Sequence, residues 1–395
     1  MDYELTSEQR QFERECHDYV KTKLPPEIVT HSETNRDLDI PTYRKYTRQL
    51  GADGWLGMGW SKEYGGQERS AIDQYTFIDV FWGYYLLTLP LFPVWVAAGV
   101  LMQFGTDEQK KQILPGIREG EIMIALGLTE PEAGTDVTSL QTRAVKSGDD
   151  YIINGQKMFI SHAHWCDYIW LAARTNPDAP KDRGISLFLV DVKTPGITIS
   201  PLYCMFTHRT NSVFLDDVRV PKSCLIGEEN MAMNYIAWDE GIARFGGATR
   251  LALGAHSRPT RIIDDLIQWA KETNVDRVHV IDQPWVKNKL AEMAVGTEVL
   301  RLLNYRVAWL LTQGIAPIVE SSGSKVFAAE HMMRVLRTSL QIMGLYGQLQ
   351  PESKWAPFRG RLERQFREVP LLGFEAGANE IMRSVIGMMG LGLPQ

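Results

Sequence analysis

The run Tyr151-Ile152-Ile153-Asn154-Gly155-Gln156-Lys157-Met158-Phe159-Ile160-Ser161 decides the class of fold. It opens on aromatic and β-branched residues, which favour a pleated chain. It pauses at Asn-Gly and then resumes with apolar side chains. Asn-Gly between two strand-like runs predicts a hairpin. Similar short runs follow: Tyr168-Ile169-Trp170-Leu171, Ile185 to Val190, Ile197-Thr198-Ile199 and Val213-Phe214-Leu215. Turn formers separate them at Asn176-Pro177, Thr194-Pro195-Gly196 and Asp216-Asp217. Several short strands at close spacing predict a small β-barrel or sandwich over residues 121–230.

On either side the period changes to that of a helix. Thr6-x-x-Gln9 has the capping-box pattern. Phe12, Cys16 and Val20 then recur at helical spacing and stop at Leu24-Pro25-Pro26. A second helix is expected from Pro41 to Leu50, broken at Gly51 and Gly54. Trp55 to Gly66 reads as loop, and Thr106-Asp107-Glu108-Gln109 opens a further helix towards Gly116. Residues 231–395 are rich in Met, Leu, Ala and Arg at helical spacing. Breaks are expected near Arg258-Pro259, Pro284, Gly314 to Pro317, Gly344 to Gly347 and Glu352 to Arg359. The expected class is α+β: an N-terminal helical domain (1–120), a central small β-barrel or sandwich domain (121–230) and a C-terminal helical bundle (231–395).

Composition narrows the function. The chain has 395 residues, 44% hydrophobic and 23% charged, which suits two or three ordinary globular domains. Its 42 Lys and Arg against 48 Asp and Glu give a net charge of −6. That argues against nucleic acid as a partner, because phosphate binding relies on a basic surface. A local basic pocket for one phosphorylated small molecule remains compatible with it. Cys16, Cys166, Cys204 and Cys224 form no C-x-x-C pair, and the plain reading is a reduced, cytoplasmic protein. The charged N-terminus Met1-Asp2-Tyr3-Glu4 lacks a signal-peptide core. Val80 to Thr106 carries no charge and is long enough to span a bilayer. Pro90 and Pro93 near its middle, and the absence of flanking Lys or Arg clusters, favour a buried pair of short helices over a membrane span. No dinucleotide fingerprint, P-loop, H-E-x-x-H or G-x-S-x-G occurs. His162-x-His164 is the only close His pair and lacks a nameable third ligand, so no metal is expected.

Four separated segments carry chemistry. Leu126-Gly127-Leu128-Thr129-Glu130-Pro131-Glu132-Ala133-Gly134-Thr135-Asp136 sets a glycine and hydroxyls in series. Such a loop can offer backbone N–H groups and the Thr129 and Thr135 hydroxyls to a polar ring edge or a phosphate. Asn154 to Ser161 combines an aromatic plane, Phe159, with a hydroxyl two residues on. A strand would carry both on one face. Gln341-Ile342-Met343-Gly344-Leu345-Tyr346-Gly347 has the glycines of a helix C-terminus. Phe374-Glu375-Ala376-Gly377-Ala378-Asn379-Glu380-Ile381-Met382-Arg383 places an acid before a glycine turn.

Together these segments resemble the acyl-CoA dehydrogenase family, and with Gly57 to Gly66, Gly184 to Val190 and Asp216 to Pro221 the resemblance spans the chain. The first segment is similar to L-T-E-P-x-A-G-S-D, with Thr135 for Ser. The second is similar to N-G-x-K-x-W-I-T, the third to Q-x-x-G-G-x-G with Leu345 for the second Gly, and the fourth to Y-E-G-T-x-E-I-x-R. The resemblance implies an FAD site built from Leu126, Leu128, Thr129, Gly134, Thr135, Phe159, Ile160 and Ser161. It also implies that Gln341, Gly344 and Gly347 reach the FAD of a neighbouring subunit, and that Thr135 lies near the acyl-CoA entrance.

The base implied by the resemblance stays open. Aligning Gly377 and Asn379-Glu380-Ile381 puts Ala376 at the family's base position, with Glu375 one residue early. Some members instead take the base from D-x-x-E-R. Here Asp239-Glu240-Gly241-Ile242-Ala243-Arg244 places Glu240 one turn before Arg244. Glu375 is the first candidate, Glu240 the fallback, and a base in neither position is the third reading. Arg244 is a candidate substrate-binding residue or a surface ion-pair partner.

The implied reaction removes an acyl-CoA α-proton to a carboxylate, aided by hydrogen bonds to the thioester carbonyl, for instance from the backbone N–H of the base. The β-hydride goes to FAD, leaving a 2-enoyl-CoA, and electrons pass to an electron-transferring flavoprotein. A homo- or hetero-tetramer is implied. Where the family's Y-A-x-x-R-x-x-F-G has its FAD-reaching Arg, this chain has Thr273 in Trp269-Ala270-Lys271-Glu272-Thr273-Asn274. That is compatible with bacterial members that pair two different chains and act on bulky ring- or steroid-derived thioesters. The alternatives are a non-catalytic subunit completing a partner's flavin site, or an acyl-CoA oxidase or flavin monooxygenase on the same scaffold.

Overall fold

The computed structural model describes residues 3–28, 39–84, 86, 91–205, 209–241 and 254–394. The first helices are α1 (Ser7–Thr22), α2 (Ile40–Ala52), α3 (Ala71–Gly83), α4 (Leu91–Phe104) and α5 (Asp107–Arg118). Strands follow as β1 (Ile124–Gly127), β2 (Arg143–Ser147), β3 (Asp150–Lys157), β4 (Tyr168–Arg174), β5 (Ile185–Asp191), β6 (Ile197–Tyr203), β7 (Arg209–Pro221) and β8 (Leu225–Ile226). Next come α6 (Ala232–Gly241), α7 (Ser257–Glu272), a small hairpin β9 (Asn274–Val275) and β10 (Val278–His279), α8 (Pro284–Thr312), α9 (Ile318–Met343), α10 (Arg361–Glu368) and α11 (Asn379–Val385). Helices before and after a central sheet give the α+β arrangement that the hydrophobic periods predict. The described residues form two compact units.

One unit comprises residues 39–69 and 89–246. Its strands make one sheet in the order β6-β7-β3-β2-β4-β5-β8, with β1 parallel to β4. Strands β4 and β5 are buried along nearly their whole length, which explains their unbroken apolar runs. The β2–β3 turn is Gly148-Asp149, because Ser147 pairs with Asp150. Gly148, at φ 64°, supplies the positive dihedral of such a two-residue turn.

Asn154-Gly155 is therefore not the hairpin turn that the sequence suggests. It lies inside β3, where the register against β7 shifts between Ile153 and Gly155. The bulge is held by Asn154, whose Nδ2 donates to Asp217 Oδ1 (3.0 Å) and whose Oδ1 accepts from the Asp217 backbone N–H (2.8 Å). A Cβ on Gly155 would sit 2.7 Å from the Cα of Thr142, so a close backbone approach accounts for this glycine. Gly155→Ala is expected to destabilise the protein by about 1–3 kcal/mol, measured by urea unfolding. A loss too small to measure would show that β2 and β3 separate freely there.

The helices around this sheet begin where the sequence says. The capping box of α5 is complete, Thr106 with Gln109, and Gln109 also donates to the carbonyls of Ser223 (2.7 Å) and Leu225 (2.8 Å). Helix α4 is apolar all round and lies against α5, α6 and β1. Pro90 lies outside the described residues. Among those described, no helix is long and apolar enough to cross a membrane. His162 and His164 fall in a turn rather than a strand, and no three His, Cys, Asp or Glu side chains gather as a metal site among the described residues. Helix α2 runs through Gly51 to Ala52, two residues beyond the end the sequence suggests.

The other unit comprises residues 1–38, 70–88 and 247–395. Helix α3 is its central element, packed on α1, α7 and α8. Helix α1 buries Phe12, Cys16, Tyr19 and Val20 and carries the Thr6–Gln9 capping box. Arg258-Pro259 marks a helix start rather than a break. Pro259 sits in the first turn of α7, where its missing N–H costs nothing. The start of α7 is tied to α3 by Asp79, which accepts from the Ser257 backbone N–H (3.0 Å) and from the Ser257 hydroxyl. His256 lies 3.0 Å from the same carboxylate and 2.7 Å from the Tyr75 hydroxyl. Burial pushes the Asp79 carboxyl up, but His256 and the two Ser257 bonds outweigh it and hold it below the usual range. Asn304 on α8 completes the network by donating to the Tyr75 hydroxyl (3.2 Å).

Candidate active site

In the sheet unit the structure brings the first two motif segments together. The Met158 backbone N–H donates to Thr129 O (2.9 Å). The Lys157 ammonium donates to Leu128 O (3.2 Å) and pairs with Glu130 Oε1 at 2.8 Å. This ion pair is almost fully buried, at 0% and 5% side-chain exposure. Glu130 also accepts from the backbone N–H groups of Gln141 (2.6 Å) and Thr142 (3.0 Å). Burial pushes Glu130 up, but Lys157 and these donors hold it below the usual carboxylate range. Burial pushes Lys157 down to about 8, opposed by Glu130. Sequence reading singles out neither residue as a clamp. The available signal was Lys157, the one charge in Asn154 to Ser161.

The clamp displays the residues beside it. Strand β3 ends at Lys157, so Phe159 and Ser161 are not delivered by a strand as the spacing suggests. Phe159 instead adopts a left-handed backbone, φ 58°, and the residue is 52% exposed. An apolar ring held open by an unfavourable dihedral is a feature of binding surfaces. Ile160 turns inward and is buried, fixed by its N–H to Asn211 O (2.9 Å), while Ser161 is exposed. Leu126, Leu128 and Thr129 are half-buried, and Gly134 and Thr135 are exposed. A Cβ on Gly134 would meet nothing within 4 Å, so the loop's outer side is open.

The third and fourth segments lie in the helical unit. Helix α9 ends at Met343, and Gly344 (φ 56°, ψ −130°) adopts a conformation open essentially to glycine alone. Gln341 and Gly344 are exposed and Gly347 is buried. The Glu375 loop contains two successive left-handed residues, Ala376 at φ 48° and Gly377 at φ 91°. Lys325 of α9, 1% exposed, donates to Gly377 O (2.6 Å) and Asn379 Oδ1 (3.0 Å). Glu375 is partly buried. Burial first, and then the neighbouring Glu368, push its carboxyl up to about 7, against Lys325 and Arg258. Its backbone N–H donates to Leu371 O (2.9 Å) and is not available to a thioester carbonyl in this conformation.

Arg258 is a further residue the sequence reading passed over. Its guanidinium lies 5.2 Å from the Trp82 ring centroid and 3.7 Å from the Glu368 carboxylate. The two side chains line a small cavity with Ala255, Leu300, Met332 and Leu372. Of the alternative site residues, Glu240 belongs to α6, but its side chain lies outside the described residues, as does all of Arg244.

The N-terminal domain of acyl-CoA dehydrogenase matches residues 6–121, the middle domain 125–218 and the C-terminal domain 246–391. The chain belongs to the acyl-CoA dehydrogenase family. It is thus an oxidoreductase of the kind that dehydrogenates acyl-CoA thioesters. Acyl-CoA dehydrogenase FadE26 of Mycobacterium tuberculosis is 36% identical over 400 residues, covering 99% of this chain and 98% of the relative. The steroid ACAD Tcur3481-Tcur3483 is similar in structure, with a TM-score of 0.91, 35% identity and complete coverage of both chains. The ChsE4-ChsE5 complex from Mycobacterium tuberculosis aligns with a TM-score of 0.90 and 36% identity, again over 100% of both chains.

Proposed function

We propose that this chain is an FAD-dependent acyl-CoA dehydrogenase that forms a 2-enoyl-CoA and passes electrons to an electron-transferring flavoprotein in the cytoplasm. The observation that carries the reading is Glu375, an acid whose carboxyl is pushed up to about 7 within a loop anchored by the buried Lys325. A general base works best when its pKa is near the operating pH. The carboxylate form takes the α-proton of the thioester and becomes the neutral acid, which its partly buried setting tolerates.

The residues of the sheet unit fit a flat heteroaromatic ring. Phe159 offers an exposed plane, Ser161 a hydroxyl two residues on, and Thr129 and Thr135 hydroxyls on the other motif segment. Leu126, Leu128, Gly134 and Ile160 complete the set that would hold FAD, with Gln341, Gly344 and Gly347 reserved for the FAD of a neighbouring chain. Bound FAD would supply the two-electron acceptor for the β-hydride. Thr135 would stand at the acyl-CoA entrance and Arg244 would assist substrate binding.

The likeness to a steroid ACAD and to a two-component complex supports a bulky, ring-bearing acyl group and a hetero-tetramer. Thr273 agrees with that assembly. It ends α7 and leads into the hairpin β9–β10, leaving no arginine at that point.

The purified protein, alone or reconstituted with its partner chain, should be yellow and should bleach when an acyl-CoA is added without oxygen. The rate of bleaching should rise with pH through about 7, because only the ionised Glu375 accepts a proton. Protein that no partner renders yellow would remove the reading. Rapid peroxide formation in air without another acceptor would replace it by an oxidase.

A further inference from the structure

We propose that Lys325 is a positioning residue for the reaction: it holds the Glu375 loop in its working shape and sets the charge that the carboxyl faces. The inference rests on the reading of Glu375 as the base. A lysine 1% exposed is rare, because its ammonium loses water and must be repaid by hydrogen bonds. Lys325 stands on the inward stripe of α9 with Ser321, Ser324, Ala328 and Met332, all buried. A single charge on a stripe of small and apolar side chains has a purpose other than solubility. Its ammonium reaches two points of one loop, the carbonyl of Gly377 and the side chain of Asn379.

That loop needs an external hold. Ala376 and Gly377 are consecutive left-handed residues, and a non-glycine in that region persists only where its surroundings over-determine it. Lys325 fixes the chain two residues after Glu375. Asn379, its second partner, is the first residue of α11. The loop is thereby fastened on the C-terminal side of the acid. On the N-terminal side the Glu375 N–H is fastened to Leu371 O. Between these two ties the carboxylate has little freedom to leave its place.

The electrostatic part follows from the same placement. Burial and three charged groups act on Glu375: burial and Glu368 of α10 oppose ionisation, while Lys325 of α9 and Arg258 of α7 favour it. Glu368 is partly compensated by Arg258, 3.7 Å away. Lys325 is therefore the cation that offsets burial, and without it the acid would stay protonated at higher pH.

The test uses the flavin-loaded protein, with its partner chain where one is required. It follows the rate of anaerobic bleaching by acyl-CoA against pH. Lys325→Met is expected to move the midpoint up by about one unit, lowering the rate at pH 7 about fivefold through charge alone. Raising the pH recovers the part due to charge and leaves the part due to the loosened loop. Lys325→Arg keeps the cation and should return the midpoint to its original value. An unchanged midpoint and rate in Lys325→Met, with Glu375→Gln inactive, would overturn the inference and leave the base assignment intact. An active Glu375→Gln would overturn the base assignment itself. Should Lys325→Met fail to fold, Asn379→Leu carries the test by removing one anchor and keeping the cation. A rate about tenfold lower at every pH, with the midpoint unmoved, supports the hold on the loop. A rate equal to that of the unaltered protein refutes it.

Discussion

Glu375→Gln is expected to lower the rate of acyl-CoA-driven flavin bleaching by about 10²–10⁴-fold, the share a general base contributes. Gln preserves the size of the side chain and its place in the loop, so flavin content and melting temperature should stay close to those of the unaltered protein. What disappears is the charge and basicity of the carboxylate that accepts the α-proton. Rapid-mixing absorbance under anaerobic conditions reads the effect directly, apart from product release. Near-normal bleaching in the variant would move the base to Glu240, and Glu240→Gln would then show the loss. If neither variant is impaired, the chain is the supporting member of a two-chain enzyme. Ala376 at the family's base position makes that outcome a specific alternative.

Lys157→Ala is expected to cost about 3–5 kcal/mol of folding stability, the usual effect of removing one partner of a buried ion pair. The cost arises from the group left behind. Glu130, 6% exposed, would keep its charge without its cation or be forced to take up a proton. Removing both charges would not restore the protein fully, because Glu130 also serves the backbone N–H groups of Gln141 and Thr142, which would lose an acceptor. Equilibrium urea unfolding measures the change. A loss below about 1 kcal/mol would place the pair in a wetter setting than the structure shows. Because Lys157 also bonds Leu128 O, the same variant should weaken flavin retention before it unfolds the chain.

The Thr6 and Thr106 capping boxes are legible because each is closed by residues three apart. The apolar stripe of α1 is legible for the same reason, since a 3.6-residue period needs no knowledge of what covers it. Asn154-Gly155 misleads for the opposite reason. Its local signal is that of a hairpin, but Gly155 answers to Thr142, just before β2, and the chain turns at Gly148-Asp149 instead. Phe159 is similar. Its aromatic identity is legible in the sequence, whereas its left-handed dihedral and its exposure belong to a turn between the buried Lys157 and Ile160.

The order of helical and strand segments, the Thr6 and Thr106 helix starts and the four family-like motifs were determined by sequence alone, because each depends on residues close to one another in the chain. Tertiary structure alone decided which charges share a buried site. Glu130 and Lys157 are 27 residues apart, and Lys325 and Gly377 are 52 apart. Desolvation and Coulomb attraction act through space, so a lysine that looks solvent-bound in the sequence becomes a structural cation only once the chain closes over it.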